Sequence, residues 1–209
     1  MTLVQKEIKR VFKGTVQVRP TVFEYSYSFN GKSVSTMQND GWTLSSTSNV
    51  NFNGDGIYCT NWHTYKVSPS WLQEALPTAN KITLTNIWKK TSTSWWCDCA
   101  WYLYWTNSGT NRWEAWIYAN YNFYRFMAWG TNKENYTGTS SLIPNWTYTL
   151  TTIADLNAKT IYFSIPWVKT NTYTLTDAEI ENIKTCTNAW LQINQSTYSY
   201  INNVYIKVE

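Results

Sequence analysis

The side chains able to do chemistry are few, and their spacing argues against catalysis. His63 is the single histidine. It stands in Asn61-Trp62-His63-Thr64 and anchors no recognisable nucleophile–base–carboxylate set, so it reads as a solvent-facing or hydrogen-bonded residue. Asp177, Glu179 and Glu181 follow one another at intervals of two, but they fall on a predicted helix, where that spacing does not align side chains. The four cysteines are Cys59, Cys97, Cys99 and Cys186. Cys97 and Cys99 would share one face of a strand. One intervening residue is short of the usual zinc spacing, and further ligands are lacking, so buried apolar thiols are expected. Asp40 and Asp55, with Asn39 and Asn53, are the only calcium candidates. They sit in Asn-Asp-Gly and Asn-Gly-Asp-Gly sequences that ordinary turn chemistry explains. No glycine-rich phosphate loop is present. The expectation is a protein without metal, cofactor or catalytic residues.

What the chain has in excess is flat aromatic surface. It carries 14 Trp and 16 Tyr, and aromatic residues (18%) outnumber charged ones (14%), more than one core of this size needs. Exposed rings stack on the apolar faces of sugars, and Trp and Tyr also anchor protein–protein contacts. The most suggestive set lies on strand-like runs in the middle of the chain. Trp96, Asp98, Tyr102 and Tyr104 share parity in one run; Glu114, Trp116, Tyr118, Asn120 and Asn122 share parity in the next. If these strands pair, one face offers rings for stacking and Asp, Glu or Asn to orient hydroxyls, as a shallow sugar site requires. Two other readings stay open: a subunit interface, or a second buried layer.

The elements that must position these groups are strands. Phe23, Tyr25, Tyr27 and Phe29 alternate with polar residues up to the Asn30-Gly31 turn. Trp42 and Leu44 open another strand. One short helix is expected around Trp71–Leu76, between Pro69 and Pro77, and Ile82 and Leu84 mark the next strand. In the run 95–105 the odd positions, Trp95 to Trp105, are assigned to the core. Strands follow at 113–119, 121–129, 146–153 and 160–165, the last turning Ile161, Phe163 and Ile165 inward. Thr176 and Glu179 form a capping-box pattern that starts the clearest helix, with Ile180 and Ile183 buried. Two closing strands carry Ala189, Leu191 and Ile193, then Val204, Ile206 and Val208. Many short strands with few helices predict an all-β sandwich.

Residues 1–20 differ from the rest. Ile8, Val11, Phe12, Val16 and Val18 interleave with basic residues, ending at Arg19, around a Lys13-Gly14 turn. An isolated hairpin is barely stable in water, so this arm must pack on the main domain or add a strand to another chain. The net charge of +4 (17 basic against 13 acidic residues) is too small and too local to imply nucleic-acid binding. No apolar run approaches the roughly 20 residues that span a bilayer, and Met1–Phe12 does not read as a signal peptide. At 209 residues without a Pro/Gly/Ser-rich linker, one domain over 21–209 plus the arm is expected.

The order of features resembles the concanavalin A-like lectin/glucanase jelly-roll, including laminin G-like modules. Three residue sets carry it: Phe23–Phe29 followed by Asp40-Gly41-Trp42-Thr43-Leu44; the Trp- and Tyr-rich middle; and Leu175-Thr176-Asp177-Ala178-Glu179-Ile180 followed by the terminal strand Ile201–Glu209. The resemblance implies an antiparallel jelly-roll sandwich with one or two short helices. Glucanases of this fold carry Glu-x-Asp-x-x-Glu on a strand; no such motif occurs here, and Glu114 has no acidic residue two positions on. The arm is similar to the leaders of some bacteriophage virion proteins. Together these imply a non-catalytic phage virion component (fibre, tail or capsid decoration) exposed on the particle. Its partners would be other virion proteins, its own copies and host-surface glycan, with no nucleic acid and no membrane insertion. The alternative is a secreted polysaccharide-binding module or glycoside hydrolase of the same fold.

Overall fold

The computed structural model describes residues 22–60, 63–91, 98–104, 112–118, 123–128, 131–137, 145–167, 169–194 and 199–209. The predicted arm, residues 1–20, lies outside them. Two antiparallel sheets face each other. The eight-stranded sheet is built from β1 (Phe23–Ser28), β3 (Val50–Asn53), β4 (Gly56–Cys59), β6 (Lys81–Lys90), β11 (Trp146–Asp155), β12 (Thr160–Ile165), β13 (Lys169–Thr174) and β15 (Ser199–Val208). Its order is β13-β12-β11-β6-β15-β4-β3, with β1 also paired to β15. The seven-stranded sheet takes β2 (Trp42–Leu44), β5 (His63–Val67), β7 (Asp98–Tyr104), β8 (Arg112–Tyr118), β9 (Phe123–Ala128), β10 (Thr131–Thr137) and β14 (Asn188–Asn194), in the order β10-β9-β8-β7-β14-β5-β2. The chain crosses repeatedly between sheets, so most neighbours in space are distant in sequence. This is the all-β sandwich that the alternation predicts, in the antiparallel jelly-roll form that the resemblance implies.

The core fills the space between the sheets, and the predicted inward parities hold. Ile161, Phe163 and Ile165 are buried, as are Trp101 and Leu103, Ala189, Leu191 and Ile193, and Val204, Ile206 and Val208. Trp101 also spans the two layers: its indole Nε1–H donates to the Tyr205 carbonyl of β15 at 3.0 Å. A ring cluster of Tyr27, Phe29 and Trp42 packs beside it, with centroids 5.0–5.5 Å apart and Trp42 6.0 Å from Trp101. Such edge and tilted contacts add to area burial. Cys97, Trp95 and Trp105 lie outside the described residues.

β15 carries a bulge. Its register against β6 shifts between Ile201 and Asn203. The extra residue lets Ile201 and Val204, of opposite parity, both turn inward. Asn202, at the bulge, accepts the Phe29 N–H on its carbonyl at 2.8 Å and donates from its side chain to the Asp55 carbonyl. Gly56 fits against this bulge with φ +126°; a Cβ there would collide with the Ile201 carbonyl. Both the dihedral and the clearance demand glycine.

The helices number three among the described residues, against the one or two expected. α2 (Leu72–Ala75), continued by a 3-10 turn at Leu76–Thr78, falls where the proline-bounded segment predicts it. α3 (Asp177–Lys184) has the full capping box, with Thr176 Oγ1 accepting from the Glu179 N–H and Glu179 accepting from the Thr176 N–H. Ile180 and Ile183 are its buried face. The unexpected one, α1 (Val34–Asn39), is capped by Ser33 and buries only Met37, too little periodicity to stand out in the sequence.

Candidate functional site

β7 and β8 do pair, as the candidate sugar face requires. Asp98 lies opposite Tyr118, Ala100 opposite Trp116 and Tyr104 opposite Arg112. This puts the backbone positions of Asp98, Tyr102, Tyr104, Glu114, Trp116 and Tyr118 on adjacent strands in one unbroken register. Trp96, Asn120 and Asn122 lie outside the described residues. On its other edge β7 pairs with β14, and β14 with β5, which pairs with the edge strand β2. Successive pairs align Thr43 with Lys66, Lys66 with Trp190, and Trp190 with Tyr102. Their chain neighbours Trp42, Tyr65, Val67, Ala189, Leu191 and Trp101 all face the core. By alternation this row crosses the outer face of the seven-stranded sheet.

Three rings gather on that face. Tyr104 stacks on Trp190 with centroids 4.3 Å apart and planes at 28°. Tyr102 tilts toward Trp190 at 6.3 Å and meets Tyr104 edge-on at 6.4 Å. Tyr102 itself corrects the sequence expectation. It is 0% exposed and donates its hydroxyl to Gln192 Oε1 at 3.1 Å. It therefore offers no open stacking surface and contributes to the ring group by packing against Tyr104 and Trp190. Its burial is separate from the core, because alternation turns it away from Trp101 and Leu103. Gln192 is also sealed (1% exposed), and among the described residues its Nε2, like Trp190 Nε1, has no hydrogen-bond partner. Tyr104 and Trp190 are half-buried. Beside Trp190, toward the β2 edge, a shallow cavity of about 220 Å³ is lined by Thr43, Leu44, Ser45, Lys66 and Trp190.

Trp190, Lys66 and Thr43 were missing from the sequence-based site. Trp190 carries a readable signal: its parity is opposite to that of the buried Ala189, Leu191 and Ile193. Lys66 has the same signal within Tyr65-Lys66-Val67, but β5 is too short and too close to Pro69 to stand out.

The groups considered for metal or catalysis have other work. Asp40 pairs with Lys32 Nζ at 2.9 Å and accepts the Tyr27 hydroxyl at 2.9 Å. The Lys32 bond, then the Tyr27 bond, hold its carboxyl below the usual range. Asp55 pairs with Lys89 at 2.7 Å, and its N–H donates to Asn53 Oδ1, an Asx turn. Among the described residues, no three His, Cys, Asp or Glu side chains gather as a metal site would require. Cys59 and Cys186 are buried free thiols. Burial pushes each up to about 12, so neither supplies a thiolate at neutral pH. Cys59 also shares a 2.7 Å hydrogen bond with the Tyr65 hydroxyl. Glu179 is used in the capping box, and Asp177 forms a surface pair with Lys159. Other exposed rings stand on the eight-stranded sheet and its turns: Trp146 on β11 at 56%, Tyr162 on β12 at 36%, and Trp167 in the turn between β12 and β13 at 100% exposure and φ +66°.

No protein-family model matches this chain, and no curated protein matches it in sequence. Solved structures do match in fold. A carbohydrate esterase from the Shiga toxin-encoding bacteriophage phi24B superposes with TM-score 0.59 at 15% identity, covering 88% of this chain and 97% of the esterase. The winged bean acidic lectin, complexed with methyl-alpha-D-galactose, gives 0.59 at 9% identity, covering 89% and 98%. Arcelin-5, a lectin-like defense protein from Phaseolus vulgaris, gives 0.57 at 6%, covering 90% and 99%. At these identities the likeness is one of fold: an antiparallel two-sheet β-sandwich similar to that of these lectins.

Proposed function

We propose that the protein is a non-catalytic glycan-binding component of a bacteriophage particle, reading surface sugars with the outer face of its seven-stranded sheet. The observation that carries the sugar reading is the Tyr104–Trp190 stack beside the shallow cavity at Lys66. A rigid ring platform costs little conformational entropy to hold, and hydroxyl and ammonium groups at its rim can orient a sugar. The lectin fold supports this reading, as does a neighbour in that fold with a galactoside bound. The phage setting draws its support from the similarity of residues 1–20 to virion leaders and from the phage origin of another neighbour. That neighbour's esterase activity is not carried over, because the likeness is of fold alone. In this account residues 1–20 dock the protein into the particle through Ile8, Val11, Phe12, Val16, Val18 and Arg19. A secreted polysaccharide-binding module would use the same face.

Glycan-array screening of the full chain tests the binding role, with retention on host cells as the second readout. Binding to a defined glycan set is expected, with no release of p-nitrophenol from acetyl esters or glycosides. Turnover of either would replace the binding reading with an enzymatic one. Removing residues 1–20 should leave a folded sandwich that no longer enters particles; normal assembly would remove the docking role of the arm.

A further inference from the structure

We infer that the cavity beside Trp190 takes a single carboxylated sugar, of the uronic-acid type, with Lys66 meeting the carboxylate. The inference rests on the glycan reading of this face and adds the ligand class. Three observations point to it. First, the cavity lies on the β5 side of Trp190, lined otherwise by Thr43, Leu44, Ser45 and Lys66. Tyr104 stacks on the same indole and belongs to β7, on the opposite flank of β14. The indole is thus braced from one flank and borders open space on the other.

Second, Lys66 is exposed, lies directly across from Trp190 in register, and has no acidic partner among the described residues. Directly opposed residues hold their Cβ atoms about 5 Å apart, so the long Lys66 side chain and the indole border the same cavity. Lys32 and Lys89, by contrast, are each neutralised by an aspartate. Among the described residues that line the cavity there is no carboxylate, and the one charge is that of Lys66.

Third, the volume of about 220 Å³ falls below the roughly 300 Å³ at which drug-sized pockets begin. It suits one ring and not a buried chain. The hydroxyl of Thr43, opposite Lys66 in register, and that of Ser45 supply the polar rim for sugar hydroxyls. A neutral sugar would leave the ammonium without an anion, whereas an isolated inorganic anion would leave the indole unused.

Titration calorimetry and two-dimensional NMR of the full chain, with methyl glucuronide, methyl glucoside and inorganic phosphate as separate probes, test this. The glucuronide is expected to bind about tenfold or more tighter than the glucoside, the scale of one charge-assisted hydrogen bond. Lys66→Gln should erase that preference without changing the melting temperature, since Lys66 is exposed. Trp190→Phe should weaken both sugars. Equal binding of the two sugars with Lys66→Gln inert would overturn the acidic preference and leave the glycan reading standing. Phosphate binding as tight as glucuronide, and indifferent to Trp190→Phe, would reduce the site to a simple anion contact and overturn the inference. Silence with the glucuronide would overturn it as well; if the whole glycan array is also silent, the proposed function falls with it.

Discussion

The two faces of β7 and β14 use similar residues to opposite ends. Inward, Trp101, Leu103, Ala189, Leu191 and Ile193 are sealed against the other sheet, and the one ring nitrogen among them is satisfied across the layers by Tyr205. Outward, Tyr102 and Gln192 are just as sealed, while Tyr104 and Trp190 are half-buried. There, two donors, Trp190 Nε1 and Gln192 Nε2, lack partners among the described residues. Burial alone therefore does not separate core from site. Polar satisfaction does not separate them either, because the core indoles Trp42 Nε1 and Trp88 Nε1 also lack partners among the described residues. What distinguishes the faces is the opposing sheet, which seals the inner residues while Tyr104 and Trp190 stay half-buried.

Substitutions that treat the faces alike should produce unlike results. The largest effect is expected inside. Leu103→Ala and Leu191→Ala should each cost about 2–5 kcal/mol in chemical denaturation. Glycan affinity per folded molecule should be unchanged. Outside, Trp190→Ala should lose about 0.5–1.5 kcal/mol of stacking energy beyond its half-buried area while abolishing sugar binding. If Trp190→Ala proved as destabilising as Leu103→Ala, the outer face would be a second core.

A finer probe is Tyr102→Phe, which leaves Gln192 Oε1 without its hydroxyl donor. A loss of about 1–3 kcal/mol is expected, together with weaker sugar binding because the rings packed against it loosen. Trp116→Ala, on β8 of the same sheet, should lower retention on host cells with little change in melting temperature; a large stability loss would place that ring in a core.

The smallest effect belongs to pH and to the inner ring cluster. Asp40 has a depressed carboxyl, bonded to Lys32 and to Tyr27. Its contribution is fully present above the unfolded-state value of 3.8 and is lost as pH falls through the lower folded value. Thermal melts at falling pH should lose this increment in the wild type and not in Asp40→Asn. An unchanged pH profile in Asp40→Asn would detach Asp40 from the stability of the Tyr27–Phe29–Trp42 cluster.

The sandwich was legible in the sequence because alternation is a local signal. Ile161-Tyr162-Phe163 and Ala189-Trp190-Leu191 state their own parity, and Thr176 with Glu179 states a helix start. The short strands β3, β4 and β5 were not legible. Four or five residues between turn signals gain their pairing from distant partners, as β4 does from Ile201. The site was half legible for the same reason. Alternation grouped Tyr102 and Tyr104, but nothing local says that β14 and β5, rather than only β8, extend that face. Alternation was also silent on depth: it turned Tyr102 outward and could not tell that the residue would be fully buried there.

The central claim is that the outer face around Trp190 binds sugar. The most direct measurement is ¹⁵N–¹H NMR of the full chain titrated with a glycan that scores on the array, following the indole and backbone resonances. The account predicts shifts confined to Thr43, Leu44, Ser45, Lys66, Tyr104 and Trp190, with the Trp190 indole among the largest. Shifts centred instead on Trp146 and Trp167, at the other sheet, with the Trp190 indole unmoved, would contradict it.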